Sequence, residues 1–245
     1  MGGAPMRQAA RVLMPGLAGT DVAVLCGGLG TRLRAAVPRL PKCLAPVRGR
    51  PFLHYLIEQV WTAGCSRVVL CTGVGAAAVR EFCAGQSWEG QVVFSEEDAP
   101  LGTGGALANA RYHLTSDPVL VVNGDSLVPN LDFGALQRME PEAPGLIVVV
   151  PCDGRADTGR VSLSPSGEVR GFAEKPAAGP DRWQNAGVYR LRQRWLAMLT
   201  NGASSLERDW LPRWAAEGMR AYRHPGRVMD IGTPERWMRA QEPWT

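Results

Sequence analysis

Val22-Ala23-Val24-Leu25-Cys26-Gly27-Gly28-Leu29-Gly30-Thr31-Arg32-Leu33 is the stretch that decides the fold, with Lys42 ten residues beyond Arg32. An unbroken apolar run reads as a buried strand, and the glycines stop it. Glycines at such a junction let backbone N–H groups approach an anion, because no Cβ intervenes. The turn and helix start that follow add donors, and Arg32 and Lys42 add full positive charge. A glycine-rich turn after a strand is also simply a tight turn, so the stretch alone points to phosphate without requiring it. Two nucleotide signatures are excluded by spacing. The six-residue G-x-G-x-x-G frame puts Leu33 in its last glycine slot, and no Gly-Lys-Ser/Thr follows as a P-loop needs.

Working outward, strands and helices alternate. Helical periodicity covers Phe52 to Ala63 and a second buried strand Arg67 to Thr72, followed by a short helix at Ala76 to Cys83 and a strand at Gln91 to Ser95. A helix is expected over Ala106 to Leu114, a fourth buried strand over Pro118 to Asn123, a helix over Asp132 to Met139 and a fifth strand over Leu146 to Val150. Alternation of this kind predicts an α/β fold, a Rossmann-like mostly parallel sheet with helices on both faces. After Pro151 the pattern turns more polar and antiparallel, with strands at Val161–Leu163, Val169–Ala173 and Gln184–Leu191. Two helices (Arg192 to Leu199, Leu206 to Glu217), a strand ending at Gly232 and a helix from Pro234 complete the chain. Residues 1–20 are expected as a flexible tail, and 21–245 as one domain with a strand-helix alternating part (about 21–150) and a β-rich substrate-recognition part (about 151–245).

Composition is that of an ordinary globular chain of 245 residues, 45% hydrophobic and 20% charged with a net charge of +4. No Lys/Arg run with interleaved aromatics suggests nucleic acid, and no apolar run suggests a membrane span or signal peptide. Six cysteines sit singly, without a C-x-x-C pair, and read as reduced core thiols of a cytoplasmic protein; Cys43, in the polar loop beside Lys42, is the exception. His54, His113 and His224 fall into no catalytic spacing, which leaves charge stabilisation of phosphate rather than covalent catalysis.

Asp125 ends a buried strand, and ligands of open parallel sheets bind outside such ends. Asp230 ends another. Each also reads as a cap or first-turn residue of the helix that follows. As a pair facing a phosphate cradle they would suit Mg2+ bridging phosphate oxygens. Glu174-Lys175 reads as a solvated pair at a strand end, and Asn185 offers an amide for sugar hydroxyls.

Taken together, Gly27 to Leu33, Pro41-Lys42, Leu101 to Ala106, Asn123-Gly124-Asp125, Phe172 to Pro176, Asn185 to Tyr189 and Asp230 to Glu235 resemble the sugar-1-phosphate nucleotidylyltransferase family. These stretches follow the family's order over nearly the whole chain. Gly30 to Lys42 and Ser204 to Asp209 look most like the D-glycero-D-manno-heptose 1-phosphate guanylyltransferase branch. The resemblance implies the nucleotide-diphospho-sugar transferase fold and attack of a sugar 1-phosphate on the α-phosphate of an NTP, GTP favoured. By it, Arg32 holds the β- and γ-phosphates, Lys42 the α-phosphate, and Lys175 the sugar phosphate. Leu25, Gly27, Gly28, Glu97 and Gly102 face the base, with Gly30, Thr31 and Thr103 on the nucleotide side. Gly124, Gly159, Glu174 and Asn185 meet the sugar, and Asp125 and Asp230 ligate Mg2+.

Two departures are visible: Cys43 replaces the proline that commonly follows the lysine, loosening that loop, and Cys26 replaces an alanine. The extra C-terminal domain of some relatives is not expected, and the assembly considered is a homodimer. Mannose- or glucose-1-phosphate transfer from another NTP is the alternative substrate choice. A sensing homologue that had lost catalysis would not need Arg32, Lys42, Asp125 and Asp230 together. A nicotinamide oxidoreductase fails on the glycine frame.

Overall fold

The structure, a computed structural model, describes residues 16–28, 30–139, 143, 145–155, 159–173 and 182–244. β1 (Asp21–Leu25) runs through the middle of the sheet, as a strand with no solvent face must. β4 (Arg67–Thr72) and β6 (Val119–Asn123) flank it in parallel, and β5 (Val92–Glu96) extends β4 the same way. Side chains alternate across β1: Val22 and Val24 pack under α1 (Phe52–Thr62), α2 (Ala76–Cys83) and α4 (Phe133–Arg138). Ala23 packs instead toward α3 (Gly102–Ala110), α5 (Gln193–Met198) and α6 (Leu211–Ala216). The sheet is thus covered on both faces.

Beyond β6 the pairing reverses. β11 (Trp183–Leu191) runs antiparallel to β6 and to β8 (Gly145–Pro151), and β9 (Arg160–Leu163) joins β11 to β10 (Val169–Ala173). The path is β10-β9-β11-β6-β1-β4-β5, with β8 on β11 and β12 (Arg220–Arg223) parallel on β8. Outside this sheet, β2 (Pro46–Val47) pairs with β3 (Arg50–Pro51), and β7 (Ser126–Leu127) with β13 (Met229–Asp230) ahead of α7 (Pro234–Arg239). The β7–β13 pair carries the chain's end back to the mouth of β6.

Several expectations need correcting. α3 begins at Gly102, four residues earlier than predicted, because its glycines dock against the Ser204 backbone. β12 was not anticipated; Arg-Ala-Tyr-Arg buries only Ala221, too little periodicity to mark a strand. The helix expected from Leu206 opens as a π-helical turn, Leu206–Trp210, before α6. Residues 16–20 form a turn with Leu17 fully buried, while the tail expected at 1–15 lies outside the described residues. Cys43 is not a polar-loop residue: it is 2% exposed inside a 3-10 turn, Lys42–Leu44, and its apolar packing fixes that turn where proline was expected.

Candidate active site

A cavity of about 510 Å³ opens at the carboxyl ends of β1 and β6, beside the order reversal of the parallel strands. Gly30, at φ +59°, turns the chain after β1, and a Cβ there would lie 3.0 Å from the Lys42 Cβ. Only glycine lets these two segments meet so closely. The turn that follows closes on the Gly30 carbonyl, which accepts from the N–H groups of Leu33 and Arg34 at 3.0 Å, and Leu33 plugs the core. Arg32 is left exposed at the cavity wall.

Lys42 forms an ion pair with Asp125 Oδ2, and Ser126 Oγ donates to Asp125 Oδ1 at 3.1 Å. Burial alone would raise the Asp125 carboxyl; the Lys42 ammonium, aided by these hydrogen bonds, more than offsets it and holds the group below the usual carboxylate range. Glu97 lies across the cavity over the edge of Gly27 and accepts from the Leu101 N–H at 3.1 Å. Its carboxyl is pushed up by burial, which that N–H only partly offsets.

Leu25, Gly27, Gly28, Gly30, Thr31, Arg32, Lys42, Glu97, Gly102, Thr103, Gly124 and Asp125, from segments up to a hundred residues apart, therefore meet around one space. Asn185 and Gly159 sit together outside that wall, the Asn185 N–H donating to the Gly159 carbonyl at 2.9 Å. The Asn185 amide is engaged within its own strand: Nδ2 donates to the Tyr189 hydroxyl at 2.7 Å and Oδ1 accepts from the Gly187 N–H at 2.9 Å. Glu174 and Lys175 lie outside the described residues.

Asp230, expected to hold Mg2+ with Asp125, is engaged by neighbouring side chains. It lines a second, smaller cavity of about 220 Å³, and both its oxygens are taken. Oδ2 pairs with Arg155; Oδ1 accepts from Arg236 Nη1 and the Gly232 N–H, each at 3.0 Å. Arg155 also pairs with Asp153 at 2.6 Å. Asp125 and Asp230 do come close, since the Ile231 N–H donates to the Asp125 carbonyl at 3.0 Å. Yet two guanidinium groups already neutralise Asp230, and among the described residues no three acidic, His or Cys side chains gather as a metal cage. Both carboxylates are engaged, Asp125 by Lys42 and Ser126 and Asp230 by Arg155, Arg236 and the Gly232 N–H; Asp125, with a single cationic partner, is the better placed of the two to hold a divalent cation.

Two polar side chains of the cavity were given no role from the sequence. Asn123 stands directly before Gly124-Asp125, and Glu207 reaches the cavity from the π-helical turn through a bond to Thr103. Of the histidines, His54 pairs with Glu58 at 3.5 Å and His224 is buried and pushed down by that burial; neither lines the cavity.

The family model described as nucleotidyl transferase matches residues 22–244. The chain belongs to that family. Among its relatives, mannose-1-phosphate guanylyltransferase of Mycobacterium tuberculosis is 34% identical over an alignment of 229 positions that covers 89% of this chain and 63% of the relative. D-glycero-alpha-D-manno-heptose 1-phosphate guanylyltransferase of Aneurinibacillus thermoaerophilus is 37% identical over 107 residues, 44% of this chain and 46% of that one. The chain thus spans less than two thirds of these curated relatives. Crystal structures of HddC from Yersinia pseudotuberculosis, alone and complexed with GMP-PN, superpose with TM-scores of 0.81 and 0.78 at 28% identity, covering 91% of this chain and 98% of theirs.

Proposed function

We propose that this chain transfers GMP from GTP to a manno-configured sugar 1-phosphate, D-glycero-D-manno-heptose 1-phosphate or mannose 1-phosphate, and releases pyrophosphate. The observation that carries this is the meeting of Arg32, Lys42, Asp125 and Glu97 around one cavity at the strand ends. A phosphate oxygen of the sugar phosphate attacks the α-phosphorus, a new P–O bond forms, and the bond to the β-phosphate breaks with its electron pair leaving on pyrophosphate. Lys42 lies where charge builds on the α-phosphoryl oxygens, and Arg32 takes the leaving β- and γ-phosphates. Before substrate arrives, Asp125 holds the Lys42 ammonium in place, so little rearrangement is needed at the reacting centre. A divalent cation held at Asp125 would supply further neutralisation of phosphate oxygens.

Glu97 supports the choice of base. A carboxylate is an acceptor on both oxygens, and guanine presents two adjacent donors, N1–H and N2–H2, which adenine does not. Two relatives carry guanylyltransferase names, and a related structure was solved with GMP-PN. Lys175 and Glu174 keep the roles that the family resemblance gives them, on the sugar phosphate and the sugar hydroxyls. Pyrophosphate release from GTP, ATP, UTP, CTP and dTTP, each with mannose, manno-heptose and glucose 1-phosphates, tests the proposal. Turnover with GTP and a manno sugar is expected; no turnover with any pair refutes it.

A further inference from the structure

The cavity holds two acceptor atoms that the roles above leave without donors. Thr103, in the first turn of α3, donates its hydroxyl to Glu207 Oε2 at 2.7 Å and accepts from the Leu206 N–H at 2.7 Å. Ser205 Oγ donates to the same carboxylate oxygen at 3.2 Å. The whole wall is tied together, because the Ser204 carbonyl accepts from the N–H groups of Gly104 and Gly105 at 2.9 and 3.3 Å. Glu207 is therefore aimed through one oxygen, while Oε1 has no donor among the described residues. Its π-helical turn is a form of backbone that recurs at functional sites.

The second acceptor is Asn123 Oδ1, buried at the same cavity with no close hydrogen-bond partner among the described residues, the Asn123 amide lying beside the Tyr189 hydroxyl. The Asn123 side chain packs on Gly187, and the Tyr189 phenol stands next to it, within reach of the Glu207 and Asp125 charges. Tyr189 is bonded to Asn185, whose N–H meets the Gly159 carbonyl. Among the described residues, Glu207 Oε1 and Asn123 Oδ1 offer this corner acceptors, which suit a ligand bearing O–H donors.

We infer that Glu207 Oε1 and Asn123 Oδ1 accept hydrogen bonds from ring hydroxyls of the acceptor sugar, which makes Glu207 a specificity residue for the sugar 1-phosphate. This rests on the nucleotidyl-transfer reading. The acceptor sugar fits better than the ribose because Asn123 shares the Tyr189–Asn185–Gly159 side of the site.

Glu207→Gln keeps the side-chain shape and removes the charge. The KM for sugar 1-phosphate is expected to rise about tenfold, as for loss of a charge-assisted hydrogen bond, with kcat and the KM for GTP within about twofold. Thr103→Val, which releases the carboxylate, moves the same KM in the same direction, and Thr103→Ser restores it. An unchanged sugar KM overturns the inference; so does a rise in the KM for GTP instead, which assigns the hydroxyls to the ribose. A binding readout stands apart from turnover: sugar 1-phosphate added to protein saturated with an α,β-methylene GTP analogue should raise Tm in the wild type and less in Glu207→Gln. Equal shifts overturn the inference even if the wild type turns nothing over, whereas that lack of turnover alone refutes only the proposed reaction.

Discussion

Replacing Lys42 with alanine removes the ammonium that the Gly30 turn holds beside Asp125. Two costs separate cleanly. The structural one is small: Asp125 is 34% exposed, so water rehydrates the orphaned carboxylate, and the loss is on the order of 1 kcal/mol. For a domain of this size that lowers Tm by roughly 2–4 °C. The catalytic cost is larger, because the α-phosphoryl oxygens lose a preorganised positive partner worth about 3–4 kcal/mol, or on the order of 10²–10³ in kcat. The same change has a pH signature. Asp125 is held below its ordinary value by Lys42, so the pair stabilises the fold above the unfolded carboxyl's range and that stability is lost as pH falls through the folded value. Without Lys42 the upward push of burial is opposed only by the Ser126 and backbone hydrogen bonds, so acid unfolding should begin at a higher pH than in the wild type. Pyrophosphate release with GTP and a manno sugar 1-phosphate gives kcat, and urea midpoints from neutral to acid pH give the stability arm. A kcat within about threefold of wild type refutes the role of Lys42 at the α-phosphate; an unchanged acid limb refutes the account of its pairing with Asp125.

Glu97→Gln puts an amide donor against guanine's own donors, so kcat/KM for GTP should fall about 10- to 100-fold; an unaltered preference for GTP over ITP and ATP in a nucleotide panel refutes base reading by Glu97. Gly102→Ala places a Cβ 2.6 Å from the Ser204 carbonyl at a backbone φ of +68°. It should cost about 2 kcal/mol or more and lower Tm by roughly 4–8 °C in a thermal melt, and a wild-type melt refutes the tight docking of α3. Arg155→Ala frees one Asp230 oxygen, so Mn2+ binding followed by electron paramagnetic resonance should tighten; weaker or equal binding shows that the guanidinium does not compete for that carboxylate.

The parallel half of the fold was legible because its signals are local. Apolar runs of five or six residues ending in glycine locate β1, β4 and β6 almost to the residue. The charged groups of the nucleotide cavity were legible for a related reason: Arg32 and Asp125 sit a few residues past such runs, and Lys42 in the proline-rich loop that follows the first. What stayed hidden depends on partners far along the chain. Glu207 is tied to the cavity wall through Thr103, 104 residues earlier, and no spacing rule reaches across that distance. Asp230 was read by its position at a strand end, but position says nothing of Arg155 and Arg236, which take its oxygens. Cys43 was judged by polar neighbours in sequence, while its burial comes from the core beneath the turn.

The wall that carries Glu207 rests on a cluster of indoles. Trp195 and Trp214 stack at 4.9 Å with their planes 7° apart, Trp210 leans on Trp214 at 6.0 Å, and the Trp210 Nε1–H donates to Ser204 Oγ at 3.2 Å. Rings this close couple their electronic transitions, so this corner should dominate the near-ultraviolet circular dichroism of the protein. Because Ser204 also holds the first turn of α3, a ligand that shifts that turn disturbs the ring stack and writes its arrival into the spectrum. Near-ultraviolet dichroism recorded on adding nucleotide or sugar 1-phosphate should therefore report any movement of that turn, with no label to attach.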